Sequence, residues 1–217
     1  NGERLAGIAV GVAALIKVFP GLILLWFLLT RRWQGAAFVF VGIVAATLVT
    51  LPLTGTQAWL DYPTVLLNLS APSDTRDTLA PTVWLAEAIG FLPARIVVTA
   101  TALVLVAWSA LRSTARMSYA VAVLASVLVA PALYHHYLAI LVLPFLLLLA
   151  EGRSLAWLAA AYLLMSGGEQ EALGDLGWIV NRGLPTAGAL LVLLLALRPA
   201  MLEAQTGSGA GLRPKPR

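Results

Sequence analysis

Seven apolar stretches, over 5–30, 36–53, 92–111, 117–133, 137–150, 154–166 and 184–197, take up most of this 217-residue chain and limit what it can fold into. A helix needs roughly 20 apolar residues to cross about 30 Å of hydrocarbon, and several of these stretches are close to that length. No water-soluble fold can hide so much apolar surface: 60% of the residues are hydrophobic, only 11% are charged, and the mean hydropathy is +0.90. The expectation is therefore an all-α, polytopic transmembrane helical bundle. The stretch 117–149 would be roughly 50 Å long as one helix, so it should fold back at Tyr134-His135-His136-Tyr137 as a hairpin.

Charge in the connecting segments orients the bundle, because Lys and Arg collect on the cytoplasmic side. Arg31 and Arg32, Arg112 and Arg116, Arg153, Arg198 and the terminal Arg213, Lys215 and Arg217 all fall inside if successive segments alternate from 31–35. The opposite loops, 54–91 and 167–183, hold Asp61, Asp74, Asp77, Glu87, Glu169, Glu171 and Asp175 against only Arg76 and Arg182. The loop 54–91, with Trp59, Tyr62, Trp84 and several prolines, suits one or two interfacial helices on the outer surface. The net charge of +4 is spread beside apolar stretches rather than gathered in a patch, which argues for a membrane and against nucleic acid. With no cysteine, disulfides and thiolate metal sites are excluded.

The first stretch is the ambiguous one. It is long enough for a single span, yet carries Lys17 near its middle and Pro20 just after it. A lone ammonium at mid-bilayer costs several kcal/mol, roughly, on most scales. Breaking the helix at Lys17-Val18-Phe19-Pro20 puts that charge at a watery outer apex and leaves Arg4 inside, and this broken form is favoured over a straight helix whose Lys17 pairs with an acid. The spans expected are then about 5–16, 20–30, 36–53, 92–111, 117–133, 137–150, 154–166 and 184–197. They form one transmembrane domain over 1–198, followed by a disordered cytoplasmic tail over 199–217. Asn1 stands almost directly before an apolar segment without a signal-peptide layout, so the chain is expected to be a piece of something longer.

Polar groups at membrane depth are costly unless they line a cavity, and few are present. Lys17 calls for a partner, either a carboxylate or a bound anion such as phosphate. His135 and His136, the two histidines of the chain, are flanked by Tyr134 and Tyr137. They read either as interfacial rings or as an outer site in which one imidazole carries a proton. Asp74-Thr75-Arg76-Asp77 reads either as a solvated turn or as a phosphate clamp at Arg76 with an aspartate, Asp77 being one of the two, on a hydroxyl. Asp61, beside Trp59 and Tyr62, suits a sugar contact as well as an interface. There is no P-loop, no dinucleotide-binding glycine pattern, no metal-ligand histidine spacing and no nucleophile elbow, so a nucleotide-driven pump or a soluble-type hydrolase is not expected, and no residue is assigned to a metal or a cofactor.

The run Leu5-Ala6-Gly7 through Gly11, then Ala13-Ala14-Leu15-Ile16-Lys17-Val18-Phe19-Pro20 and the closing Arg31-Arg32-Trp33, resembles the pattern of glycosyltransferase family 87. The later Ala130-Pro131-Ala132-Leu133-Tyr134-His135-His136-Tyr137-Leu138 resembles a family segment in which His136 takes the place of the family histidine. Ala130 and Tyr134 stand where the family usually has Ser and Trp. The resemblance implies a GT-C-like fold and an inverting membrane hexosyltransferase. Such an enzyme would move a sugar, mannose in this family, from a polyprenyl-phosphate donor to an extracytoplasmic glycolipid or glycan acceptor. It implies a multi-pass protein of a bacterial plasma membrane, with the catalytic base in a first outer loop absent from this chain, so that this piece alone would be inactive. His136 is then the candidate catalytic group, and Lys17, Arg76, Asp77, Asp61, Tyr134 and His135 the candidate substrate-binding groups.

Two other classes compete. A secondary transporter also suits a broken helix with a central cation, but predicts inverted repeats and acids within the spans, and neither is visible. A non-catalytic subunit of an envelope-assembly complex would leave Lys17 and the histidines dispensable.

Overall fold

A computed structural model of the chain describes residues 1–69, 78–130, 133–166, 177 and 179–197. Among these every regular element is a helix, and there are no strands. Two helices are long and apolar enough by themselves to cross a membrane, Trp33–Leu66 and Phe91–Arg112; shorter apolar helices pack around them.

Helix α1 (Gly2–Ile16) stops at Lys17, whose φ of −146° and ψ of 125° are extended rather than helical. Pro20 explains the stop. It has no N–H to donate into α1 and disfavours helical geometry in the residue before it, but it is tolerated in the first turn of a new helix. A short 3-10 turn, Phe19–Gly21, then leads into α2 (Leu22–Leu29). The break expected at Lys17–Pro20 is thus present, and α1 and α2 form a hairpin. Its open end is closed by an ion pair, with Arg32 Nη1 donating to Glu3 Oε1 at 2.7 Å.

Helix α3 (Trp33–Leu69) runs beside α1. The two backbones approach so closely that a Cβ on Gly7, Gly11 or Gly42 would run into the carbonyls of Gly35, Val39 and Ile8 respectively. Small residues spaced by four and seven allow this contact, the usual way for membrane helices to pack without a hydrophobic driving force. The helix does not end at residue 53. It continues through Pro52, flanked by hydroxyls that bond back along it: Thr50 Oγ1 donates to Ala46 O at 2.8 Å and Thr54 Oγ1 to Thr50 O at 3.1 Å. The corner comes at Gly55, whose φ of 79° is the left-handed side that glycine reaches without a steric penalty. Beyond it a second helical arm brings Tyr62 back to α1, where its hydroxyl donates to the carbonyl of Leu15.

After α4 (Pro81–Ile89), helices α5 (Phe91–Arg112) and α6 (Ala115–Leu128) form a second hairpin. Thr114 caps α6, its hydroxyl accepting from Met117 N at 3.3 Å. Helix α6 is buried on every side from Ala120 to Val127, as expected of a helix that is apolar all round. One core cluster joins it to α1, α2, α3 and α5 through Val10, Trp26, Phe27, Val39 and Val106. Another joins it to α4, α7 (Val142–Ala150), α8 (Leu155–Met165) and α9 (Leu184–Leu197). Between α2 and α6, Trp26 Nε1 donates to Ser118 Oγ at 2.9 Å, a buried cross-helix hydrogen bond.

These contacts sort the charged groups by end. Glu3 meets Arg32 at the open end of the first hairpin. Trp26, one turn from that end of α2, meets the start of α6, and Arg116 at that same start lies 3.5 Å from Glu151, just after α7. Lys17 lies at the opposite end. Helix lengths differ too: α5 has 22 residues and spans about 33 Å, whereas α6 with 14 spans about 21 Å and α1 with 15 about 22 Å.

Candidate functional site

The end of the bundle opposite the paired arginines is built from the α1–α2 break, the α6–α7 connection and the start of α4. Helix α6 ends at Leu128, and a 3-10 turn over His135–Leu141 leads into α7. This turn carries the Tyr-His-His-Tyr group. Its entry is fixed by a buried polar latch. Thr78 Oγ1 accepts from Leu133 N at 2.9 Å, and Leu79 N donates to Leu133 O at 2.6 Å. Thr78 is 1% exposed and its hydroxyl also accepts from Ala80 N, so the residues leading into α4 are held against the residue just before Tyr134.

Lys17 meets this turn. Its Nζ lies 3.4 Å from the centroid of the Tyr137 ring, well inside the range of a cation–π contact. Tyr137 in turn meets the His136 ring edge to face, with centroids 4.2 Å apart. Tyr134 lies nearly parallel to His136 at 5.8 Å and also meets Tyr137 edge to face at 5.8 Å, so the three rings form a triangle, and Phe19 from the α1–α2 break approaches Tyr137 at 6.4 Å. The Lys17 ammonium sits on one member of this cluster, Tyr137. The Lys17 ammonium and the His136 ring thus sit within roughly one Debye length at physiological salt. His136 and Tyr134 are exposed, whereas Lys17, Tyr137 and His135 are half-buried.

The electrostatics stem from what Lys17 lacks. Among the described residues the ion pairs are Arg32–Glu3 and Arg116–Glu151, and no carboxylate reaches Lys17. The ammonium sits in the break between the two half-spans rather than within either, and partial burial pushes its pKa below the ordinary lysine value. A π face attracts the cation without neutralising it, so the positive charge remains available to an anion. His135, next in the chain to His136, buries its Nε2 without a hydrogen-bond partner among the described residues.

Asp61, on the second arm of α3, is exposed and accepts from Gln57 Nε2 at 3.0 Å; nothing draws it to Lys17. Its neighbour Tyr62 reaches the carbonyl of Leu15, two residues from Lys17, and stacks obliquely with Trp59 at 5.7 Å. Arg76 and Asp77, like Asp74, Glu169, Glu171, Asp175, Arg198 and the tail over 199–217, lie outside the described residues. Tyr137 and Thr78 are the two members of this end that sequence reasoning does not single out. The sequence shows Tyr137 only as a flank of the histidines, and no local signal points to a buried threonine latch. Among the described residues no group of three or more His, Asp or Glu could hold a metal ion. An open groove lined by Trp157, Leu191, Leu194, Leu195 and Leu197 lies on α8 and α9, towards the Glu151 side, and offers only apolar surface and an indole.

Comparison with known proteins gives a family match. No curated protein and no solved structure matches the chain significantly. The model of glycosyltransferase family 87 matches residues 1–133, well over half of the chain. The matched region contains both half-spans and the Lys17–Pro20 break and ends at Leu133, one residue before Tyr134. With the helical, apolar architecture described above, this shows a membrane glycosyltransferase: the chain belongs to glycosyltransferase family 87.

Proposed function

We propose that this protein transfers a hexose, with mannose the first candidate, from a polyprenyl-phosphate donor to a glycolipid or glycan acceptor on the extracytoplasmic face of a bacterial plasma membrane. The observation that carries this reading is the Lys17 ammonium, uncompensated among the described residues, at the end of the bundle away from the paired arginines and beside an exposed imidazole. By the positive-inside rule the arginine end is cytoplasmic, so the Lys17 end faces out.

In an inverting transfer a carboxylate takes the proton of the acceptor hydroxyl as its oxygen attacks the anomeric carbon and the bond to the lipid phosphate breaks. No carboxylate of this chain is proposed for that step. As the bond breaks, negative charge grows on the departing phosphate, and a cation fixed in advance lowers the cost of that charge. Lys17 is suited to this role, and Arg76 adds a second cation close in sequence to the Thr78 latch. Asp77 and Asp61 are candidates for sugar hydroxyls. His136 is suited to exchange a proton with donor or acceptor, while Tyr134 and His135 shape the wall against which the sugar rests.

The test uses the complete protein in membranes, supplied with radiolabelled sugar either as the polyprenyl phosphate or as the nucleotide sugar. Label passing to lipid or glycan from the polyprenyl phosphate alone supports the reading. Transfer from the nucleotide sugar, in membranes where conversion into the lipid-linked form is blocked, overturns it.

A further inference from the structure

Groups up to 120 residues apart in sequence meet at one ring. The face of Tyr137 carries the Lys17 ammonium at 3.4 Å, its ring meets His136 at 4.2 Å, and Phe19 approaches at 6.4 Å. Lys17 comes just after the last turn of α1 and precedes Pro20, so its backbone is fixed, but four side-chain torsions leave the ammonium free to wander. A carboxylate would hold it and cancel its charge. The tyrosine face holds it and leaves the charge intact.

We propose that Tyr137 is a positioning residue, whose ring face presents the Lys17 ammonium next to His136 as a preorganised anchor for the phosphate of a lipid-linked donor. This rests on the functional reading above and adds a residue and a physical means to it. Tyr137 does not touch the reacting atoms. It acts through Lys17, by keeping the cation where the phosphate arrives. The part that matters is the negative potential over the ring, and the phenolic hydroxyl is dispensable.

The experiment is equilibrium binding of polyprenyl monophosphate to the complete protein in detergent, as wild type, Tyr137→Phe, Tyr137→Leu, Lys17→Met and the double variant Lys17→Met/Tyr137→Leu. Tyr137→Phe is expected to bind within about 2-fold of wild type. Tyr137→Leu should bind about 5- to 30-fold more weakly, the size of a partly desolvated cation–π contact. In the Lys17→Met background the same Tyr137→Leu change should alter binding by less than about 2-fold, because the pair acts as one. Replacing residue 137 by phenylalanines of increasing fluorination keeps the shape while removing the negative face, and affinity should fall stepwise; this series decides the matter where the leucine variant fails to accumulate. An equal loss from Tyr137→Leu in both backgrounds, no loss from it at all, or no response to fluorination overturns the proposal. The two failures are distinguishable. If Lys17→Met itself binds as wild type, the functional reading falls and this inference with it. If Lys17→Met weakens binding but Tyr137 acts independently, only this inference falls.

Discussion

Cations lie over aromatic rings at both ends of the helical bundle, Arg32 over Trp26 at 5.2 Å and Arg4 over Phe38 at 5.5 Å at one and Lys17 over Tyr137 at 3.4 Å at the other, but among the described residues only the arginine end adds carboxylates. At one end Arg32 and Arg116 are each met by a carboxylate, Glu3 at 2.7 Å and Glu151 at 3.5 Å, with both partners partly exposed to solvent. At the other end Lys17 is met by the face of Tyr137. A guanidinium beside a carboxylate forms a nearly neutral pair in a screened setting, worth little to stability and less to any third ion. An ammonium on a ring keeps its full charge. The first arrangement suits a membrane interface, and the second suits a binding site.

Substitutions at the two ends should therefore differ in kind as well as size. The largest effect is expected from Lys17→Ala, which should lower sugar transfer by the complete protein about 10- to 1,000-fold, the scale on which a single electrostatic group acts at a transition state. His136→Ala should fall within the same range or just below it, as expected for loss of one proton-transfer group. Both variants should melt within a few degrees of wild type, and unchanged turnover in the pair would remove them from the site. Trp26→Phe, near the paired end, should do the reverse. It deletes the buried bond to Ser118, costs about 1 kcal/mol of stability measured by thermal or denaturant unfolding in detergent, and leaves turnover close to wild type. Glu3→Gln should be the mildest, with under about 1 kcal/mol lost and less in high salt, since its pair is half-open to water. A transfer defect in Glu3→Gln comparable to that of Lys17→Ala would erase the distinction between the ends.

Sidedness gives the comparison an independent check. This chain contributes no cysteine, so labelling of a cysteine introduced into it can be read against the unsubstituted protein. Val18→Cys, in the exposed α1–α2 break, should react with an impermeant maleimide added outside intact cells. Arg31→Cys should react only after permeabilisation. The opposite pattern would put the Lys17 site in the cytosol and rule out an extracytoplasmic donor.

How far the sequence can be read varies with the range of the forces involved. The break after Ile16 is visible because two local signals coincide, a charge too costly for mid-span and a proline that cannot continue a helix. The arginine end is visible because loop charge tracks membrane orientation. The length of α3 is not: the change from apolar to mixed residues near 53 looks like a span end, yet Pro52 is absorbed within the helix and the backbone turns only at Gly55. The candidate site is legible in its members Lys17 and His136 but not in what joins them. Tyr137 reaches Lys17 only because the α1–α2 break packs against α6 and the 3-10 turn that follows α6 also packs against it, and no local pattern encodes a contact spanning 120 positions. The Thr78 latch is hidden for the same reason, since a threonine before a proline-led helix looks like any other loop residue.

Unequal helix lengths also shape the approach to Lys17. Helix α5 is about 33 Å long, whereas α1 and α6 are about 21–22 Å. Helix α5 is thus about 10 Å longer than the two helices whose ends carry Lys17 and lead to the tyrosines. On the function proposed above, such a step in helix length would favour a donor held by its isoprenoid tail in the bilayer and arriving from the side over a sugar nucleotide arriving from the water.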